Sequence, residues 1–296
     1  MRLTVAICTW NRASLLARAL DRLGQARSPS AAWELIVVDN GSTDGTAAVL
    51  ERFARRLPLR VVAEPRLGLS RARNAAVAAA TGDYILWTDD DVLVDERWLL
   101  AYEAAVARWP DAAVFGGPIR PEFEAPPPAW LLDVWDDVAD AFAVRDLGTE
   151  PLALDGEGKT PYGANYLVRT REQRRIPYDP ALGRKGHGGR LGEETALIRA
   201  LLQGGATGWW VPEAVVNHWV PRSRLRVSYL RGYFALVGRT YAGSPAGRPR
   251  RATLIRELLR AECAYRVARL SGDARQWLGP MIEASLLWGR LRRAAR

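Results

Sequence analysis

The chain has 296 residues, 48% of them apolar or aromatic and twelve of them tryptophan, enough to bury the core of one large domain or two modest ones. Two cysteines, Cys8 and Cys263, indicate neither a disulfide framework nor a zinc cluster; no apolar run reaches membrane-spanning length, and the first, Leu3 to Cys8, is too short for a secretory signal, so a cytoplasmic globular protein is expected. The formal charge of +9 is unevenly spread: from Arg222 onward 17 Arg stand against 4 acids, a net +13, which leaves residues 1–221 at −4.

Leu3 to Cys8 reads as a compact apolar strand, followed by a polar turn at Thr9 to Arg12 and a helix carrying Leu15, Leu16, Ala19, Leu20 and Leu23. A second strand, Leu35 to Val38, ends at Asp39 and the turn Asn40-Gly41-Ser42-Thr43-Asp44-Gly45, before a helix through Leu50 and Phe53. Leu59 to Ala63 is a third strand, Gly68 to Ala80 a third helix and Tyr84 to Thr88 a fourth strand. This alternation predicts a parallel, doubly wound α/β sheet, whose ligands bind beyond the carboxyl ends of the strands. The fourth strand delivers Asp89, Asp90 and Asp91 to that edge. Three adjacent anions need a compensating cation, and hard oxygen ligands suit Mg²⁺ or Mn²⁺ shared with a phosphate; a solvated acidic turn before the next helix is the alternative. No G-x-G-x-x-G follows the first strand and no G-x-x-x-x-G-K-[ST] occurs anywhere, which disfavours a Rossmann dehydrogenase and a P-loop ATPase.

A helix from about Glu96 to Trp109 leads to a strand at Ala112 to Phe115. Residues 121–158, with Pro126-Pro127-Pro128, Trp130 and Trp135, lack a period and read as an irregular insertion lining one side of a site. Pro161 to Thr170 holds the next strand, entered through Gly163-Ala164-Asn165. Gly183 to Gly192, with five glycines and His187, reads as a mobile loop feeding a helix that starts at Glu193-Glu194. Trp209 to Trp219 looks like two short strands and includes His218. Beyond Arg222 the pattern is helical near 226–242, 251–271 and 274–294, with a Gly/Pro-rich break at Gly243 to Pro249. Trp277, Leu278, Met281 and Ile282 fall near one face of the last segment, ahead of Arg290, Arg292, Arg293 and Arg296, an arrangement that suits an anionic bilayer or, equally, packing on the catalytic domain or a partner subunit.

TVAICTWNR at the start, VVDNGSTDGT after the second strand, the block RLGLSRARNAAVAAATGDYILWTDDDV, the GANYLVRT strand and the GEETAL helix together resemble glycosyltransferase family 2 over roughly residues 3–240. The resemblance implies a GT-A type Rossmann-like α/β sheet with helices on both faces, spanning 1–222 with a donor-binding half at about 1–118 and an acceptor-side half at about 119–222, plus a basic helical C-terminal extension at 223–296. It implies that Asp39 accepts a hydrogen bond from the donor nucleobase, although Asn40 stands where a second acid is usual. It also implies nucleotide contacts from Thr9, Arg12, Arg71, Asn74, Asp89 and Asp90, and a Mn²⁺ or Mg²⁺ ion held by Asp91 with Asp89 and His218. Glu194 matches the position usually taken as general base, with Glu193 in reserve. Trp130, Trp135, Trp219, Asn165 and His187 are candidates for the acceptor side, with packing the commoner use of any tryptophan.

The function so implied is metal-dependent, inverting transfer of a sugar from a nucleotide-diphosphate donor, UDP-sugar favoured, to a hydroxyl of a glycan or lipid-linked acceptor in polysaccharide or cell-envelope synthesis. A peripheral position on the inner face of the cytoplasmic membrane fits the basic helices; a nucleic-acid partner is not expected, and an oligomer is left open. The alternatives are a sugar nucleotidyltransferase and a non-catalytic carbohydrate- or nucleic-acid-binding protein.

Overall fold

Strands buried on both faces read as near-continuous apolar runs, and the two that begin the chain are of that kind: Leu3, Val5, Ala6 and Ile7 of the first and Leu35 to Val38 of the second have almost no exposure. In the computed structural model, which describes residues 1–186, 188–241 and 251–294, the order is β1 (Arg2–Thr9), α1 (Ala13–Gln25), β2 (Ala32–Asp39), α2 (Thr46–Ala54), β3 (Leu59–Ala63), α3 (Leu69–Ala79), β4 (Tyr84–Asp89) and β5 (Val92–Val94). There follow α4 (Trp98–Arg108), β6 (Val114–Gly116), β7 (Ile119–Phe123), α5 (Ala129–Leu132), α6 (Trp135–Val138), β8 (Tyr166–Arg169), α7 (Thr170–Gln173), β9 (Arg184–Lys185) and β10 (Gly188–Gly189). The chain ends in α8 (Glu193–Gln203), β11 (Gly208–Trp210), β12 (Val216–Val220), α9 (Val227–Thr240), α10 (Arg251–Arg269) and α11 (Ala274–Ala294). Two compact units result. The first comprises Met1–Glu122, Ala143–His187 and Gly192–Trp219; the second comprises Phe123–Phe142, Gly188–Leu191 and Val220–Arg296.

The first unit is a seven-stranded sheet in the order β11-β6-β8-β4-β1-β2-β3. Successive side chains of a strand point to opposite faces, so Leu35 and Val37 of β2 join Leu16 and Leu20 of α1 on one side, while Ile36 and Val38 join Ala72 and Ala76 of α3 on the other. At the opposite end of the strands from the acidic triplet, Glu34 accepts hydrogen bonds from the Thr4 and Thr81 hydroxyls, both at 2.7 Å, and pairs with Arg60 at 3.2 Å.

The sheet is mixed, where the alternation of elements predicts a parallel one: β8 runs antiparallel to both β4 and β6. Its direction follows from its entrance. Strand β6 leaves the chain at Gly116, at the carboxyl edge, and no crossover helix carries the chain back beneath the sheet before Asn165. The Gly117 amide donates to the Asn165 carbonyl at 3.4 Å, and Tyr166 then starts opposite Gly116 and Trp87. A strand that enters from the edge where its neighbours end must run against them.

In the second unit, α9 crosses α11 where Gly238 and Gly289 face the partner backbone; a Cβ at either would collide with the Leu286 or Ala235 carbonyl. The stripe Trp277, Leu278 and Met281 lies inside this unit, with Trp277 and Met281 fully buried and the Trp277 ring centroid 5.6 Å from that of Trp130 and 6.1 Å from that of Tyr265. That packing corrects the sequence reading in which these side chains meet a bilayer: in this helix they are the core-facing stripe. Arg290 and Arg292 are exposed, Gly243 to Pro249 and Arg296 lie outside the described residues, and among the described residues no helix is long and apolar enough to cross a membrane.

Candidate active site

Strand register assembles the site within the first unit. Thr9 ends β1 opposite Asp39 of β2, and Cys8 lies opposite Asp89 of β4, so the loops after three neighbouring strands open at one sheet edge. Strand β5 pairs antiparallel with β12, setting His218 across from Val92, and the Trp219 amide donates to the Asp91 carbonyl at 2.9 Å.

Two groups of charges stand at this edge. In one, Arg12 reaches from the start of α1 to Asp90 Oδ1 at 2.8 Å and Asp91 Oδ2 at 3.1 Å, and the Thr9 hydroxyl donates to Asp90 Oδ2 at 2.8 Å. Asp90 and Asp91 are buried, and burial with the adjacent Asp91 charge pushes the Asp90 carboxyl upward against the pull of Arg12. His218 Nε2 lies 3.6 Å from Asp91 Oδ2. In the other group, Arg73, 3% exposed, contacts Glu193 Oε1 at 2.9 Å, Asp89 Oδ1 at 3.6 Å and Glu194 Oε2 at 3.7 Å. Glu193 is buried too; burial and the neighbouring Glu194 raise its pKa, and Arg73 opposes them. Glu194 retains 17% of its side-chain surface. The backbone closes tightly over this group: a Cβ at Gly163 would come 2.9 Å from Arg73 Nη2 and 3.3 Å from the Glu194 carboxyl carbon.

The guanidinium of Arg12 bridges Asp90 and Asp91 and supplies the positive charge that two adjacent buried carboxylates need. Among the described residues no three His, Cys, Asp or Glu side chains form a ready cage. Asp91 and His218 could hold an ion whose remaining positions come from oxygens of a bound phosphate or water, a donor set compatible with Mn²⁺ or Mg²⁺.

The other residues singled out from the sequence fall as follows. Asp39 lies at the edge beside Thr9 and accepts the Ser42 amide at 2.9 Å through Oδ1. Asn40 is buried; its Nδ2 donates to the Glu64 and Arg66 carbonyls at 2.7 and 3.0 Å, and its Oδ1 accepts the Gly68 amide at 2.8 Å. A carboxylate could not make the two donations, so the site requires an amide at this position. Arg71 is half-buried on α3 and adds to the positive charge that Arg66 places around Glu64. Asn74 points elsewhere: its amide exchanges hydrogen bonds with the Tyr178 backbone, both at 2.9 Å.

Asn165 is no surface residue. It is fully buried, accepting from the Trp98 indole at 2.8 Å and the Tyr102 hydroxyl at 2.9 Å while donating to the Pro118 and Ala214 carbonyls, so the acceptor-side reading is corrected to that of a saturated core amide. Trp130 and Trp135 pack within the second unit, Trp135 against Phe123 and Phe142. The Trp219 ring lies 3.6 Å beneath the Arg18 guanidinium. His187 lies outside the described residues.

Sequence reasoning missed Arg73. The signal was present: Arg73 shares a helical face with Ala76, Val77 and Ala80, all buried, so the wheel of α3 turns this arginine inward and leaves Arg71 on the more open side.

The sequence model described as "Glycosyl transferase family 2" matches residues 4–139. The succinoglycan biosynthesis protein ExoM of Rhizobium meliloti (strain 1021) is 28% identical over 235 residues, covering 78% of this chain and 71% of that protein. Validoxylamine A glucosyltransferase of Streptomyces hygroscopicus subsp. jinggangensis (strain 5008) is 30% identical over 155 residues, 52% of this chain, which spans only 37% of that relative's length. Among solved structures, the mannosyltransferase PcManGT from Pyrobaculum calidifontis in complex with GDP-Man and Mn²⁺ superposes with a TM-score of 0.59 at 20% identity, over 99% of this chain and 86% of that one. S. aureus TarS 1-349 in complex with UDP-GlcNAc does so with a TM-score of 0.54 at 17% identity, over 80% of this chain and 66% of that one.

Proposed function

Because the chain belongs to glycosyltransferase family 2, we propose that it moves a sugar from a nucleotide-diphosphate donor, UDP-sugar favoured, to a hydroxyl of a glycan or lipid-linked acceptor, with inversion, in the cytoplasm. The reading is carried by one observation: a partly exposed Glu194 carboxylate stands at the same sheet edge as Asp89 and Asp91, its neighbour Glu193 engaged by Arg73. Residues 1–118 supply the donor half. Asp39 accepts the imide N–H of the base, and Arg71 and Arg12 meet the diphosphate. Asp91 with His218, assisted by Asp89, would hold Mn²⁺ or Mg²⁺, which when bound offsets the charge of the departing nucleoside diphosphate. Residues 119–222 supply the acceptor side.

Glu194 takes the proton of the acceptor hydroxyl as its oxygen bonds to the anomeric carbon and the bond from that carbon to the diphosphate oxygen breaks on the opposite face. Arg73 holds Glu193 closely and stands farther from Asp89 and Glu194, so of the two acids of α8 Glu194 is the more accessible. One displacement of this kind inverts the anomeric centre. The names of the relatives, a succinoglycan biosynthesis protein and a glucosyltransferase, and the GDP-Man and UDP-GlcNAc complexes of the structural neighbours support the donor class.

Calorimetric titration with UDP, GDP and dTDP, with and without Mn²⁺, tests the reading on the natural protein and on Asp91→Ala. Metal-dependent binding of one nucleotide that Asp91→Ala abolishes is expected and identifies the base. Binding indifferent to both metal and Asp91, or none at all, overturns it.

A further inference from the structure

Helix α10 carries two apolar stripes. One faces inward, with Leu254 and Ala261 buried and Leu258 and Tyr265 half-buried. The second runs along the opposite side at intervals of three and four residues, through Ala252, Ile255, Leu259, Cys263, Val267 and Leu270, the last just past the helix end. It is open: Leu259, Val267 and Leu270 are 66, 63 and 87% exposed. Single exposed leucines are ordinary, but a continuous stripe over five turns marks a contact surface.

The charges on that outward side are of one sign. At 100° per residue, Arg256 and Arg266 fall within the arc of the stripe and Arg260 lies about 20° beyond its edge, and all three are exposed. The two acids of the helix fall outside the arc; Glu262 is held by Arg231 at 2.8 Å. An aliphatic stripe set among arginines, on a helix that already buries its other face, identifies its occupant by elimination. A second copy of the chain would bring arginine against arginine. A nucleic acid would satisfy the arginines but leave four aliphatic side chains against phosphate and water. An anionic lipid surface satisfies both, since the aliphatic side chains enter the acyl boundary while the guanidinium groups reach back to the headgroups.

We propose that the outward face of α10 docks the protein on an anionic lipid bilayer. The face that Trp277 and Met281 do not supply is therefore supplied by the preceding helix. This does not depend on the glycosyl-transfer reading, because bilayer binding is measured without donor or metal, and its failure would leave that reading intact.

The test is co-sedimentation of the full chain with vesicles of phosphatidylcholine alone or with about one third phosphatidylglycerol, together with an environment-sensitive fluorophore attached at exposed Cys263. Binding to the anionic vesicles only, weakened by salt and accompanied by a blue shift of the probe, is expected. Leu259→Glu combined with Leu270→Glu should lower the partition coefficient at least ~10-fold, and Arg256→Gln with Arg260→Gln should lower it by about as much at low salt. These side chains are exposed, so the thermal transition should not move. Absence of anionic-vesicle binding overturns the proposal. So does binding that the leucine variants leave unchanged, which would assign it to arginines elsewhere. A solution dimer that the leucine variants split, or a short RNA that binds as tightly as the vesicles and loses affinity in the same variants, would reassign the face and equally overturn it.

Discussion

Two arginines stand at the carboxyl edge of the sheet, each gathering carboxylates, and they differ in how firmly they are held. Arg73 projects from the middle of α3 with 3% of its side chain exposed, its guanidinium carbon 5.8 and 5.6 Å from the ring centroids of Trp87 and Tyr178. Arg12 precedes the first turn of α1 with 35% of its side chain exposed, and beyond Asp90 and Asp91 it faces an open edge. Rings and backbone enclose the first ion pair, so its members are fixed whether or not a ligand is present. In the second pair the acids are buried but the guanidinium is 35% exposed, so another cation can approach from the Arg12 side. A site that must hold one acid ready and admit a charged donor at another uses both kinds.

The sharpest break of this comparison is between the two acids of α8. Glu194→Gln should lower the turnover of sugar transfer by roughly 10²–10⁴-fold while leaving nucleotide affinity unchanged, as removal of a general base does. Glu193→Gln should cost less in turnover, because Glu193 is engaged by Arg73 rather than open to a hydroxyl. Steady-state kinetics on both variants decide it, and a larger loss for Glu193 would exchange the two roles.

Arg73→Met leaves the buried Glu193 beside Glu194 without its cation. Loss of one partner of a buried pair typically costs about 3–5 kcal/mol, so the urea midpoint should fall steeply. Arg12→Gln also takes the cation from two buried acids, Asp90 and Asp91, so the midpoint should fall as well, but by less, because Arg12 itself is 35% exposed and water can reach its end of the pair.

Glu34 and Glu193 extend the contrast to pH. Four donors from Thr4, Thr81 and Arg60 outweigh burial and hold Glu34 down at about 2, below its unfolded value near 4.5. Its contribution is thus present above pH ~4.5 and lost as the pH falls through the folded value; a shift of that size corresponds to about 3 kcal/mol at most. Burial and Glu194 raise Glu193 instead. Its contribution is fully present below the unfolded pKa and declines as the pH rises above the ordinary carboxylate range. Urea titrations across pH should therefore find Glu34→Gln less stable than the natural protein at neutrality but not in acid. Glu193→Gln should gain on the natural protein as the solution is made alkaline.

Much of this edge is legible in the sequence because it depends on local pattern. Apolar runs that stop at Asp39 and at Asp89 place both acids at strand ends, and the Gly-Glu-Glu start of α8 marks a helix entrance. The direction of β8 is not legible, since it depends on where a 49-residue excursion from Gly117 to Asn165 re-enters the sheet, a tertiary matter. Asn74 and Asn165 enter the expected site through the resemblance. Only the fold reveals that Trp98, Tyr102 and the Tyr178 backbone use their hydrogen-bonding capacity. The tail misleads in the same way: an amphipathic period states that one face is covered, and Trp277 is covered by Trp130, more than a hundred residues earlier.

The smallest expected effect is the one that separates a fixed cation from an exchangeable one. Arg12 Nη1 lies 3.1 Å from Asp91 Oδ2, the oxygen nearest His218, so a divalent ion bound there in the absence of nucleotide must compete with the guanidinium. Arg12→Gln takes that competing charge away from Asp91 Oδ2. Removal of one partly exposed competing charge is worth about 1 kcal/mol, so Mn²⁺ should bind roughly five- to tenfold tighter to the variant when no nucleotide is present. With nucleotide added the advantage should disappear or reverse, because Arg12 released from Asp91 becomes available to the diphosphate and the variant lacks it. Free Mn²⁺ measured by electron paramagnetic resonance, with and without the nucleotide that the calorimetry selects, gives both numbers. Equal Mn²⁺ affinity in the two proteins would mean that Arg12 does not move aside for the metal, and the open end of the edge would then be as fixed as the end that Arg73 holds.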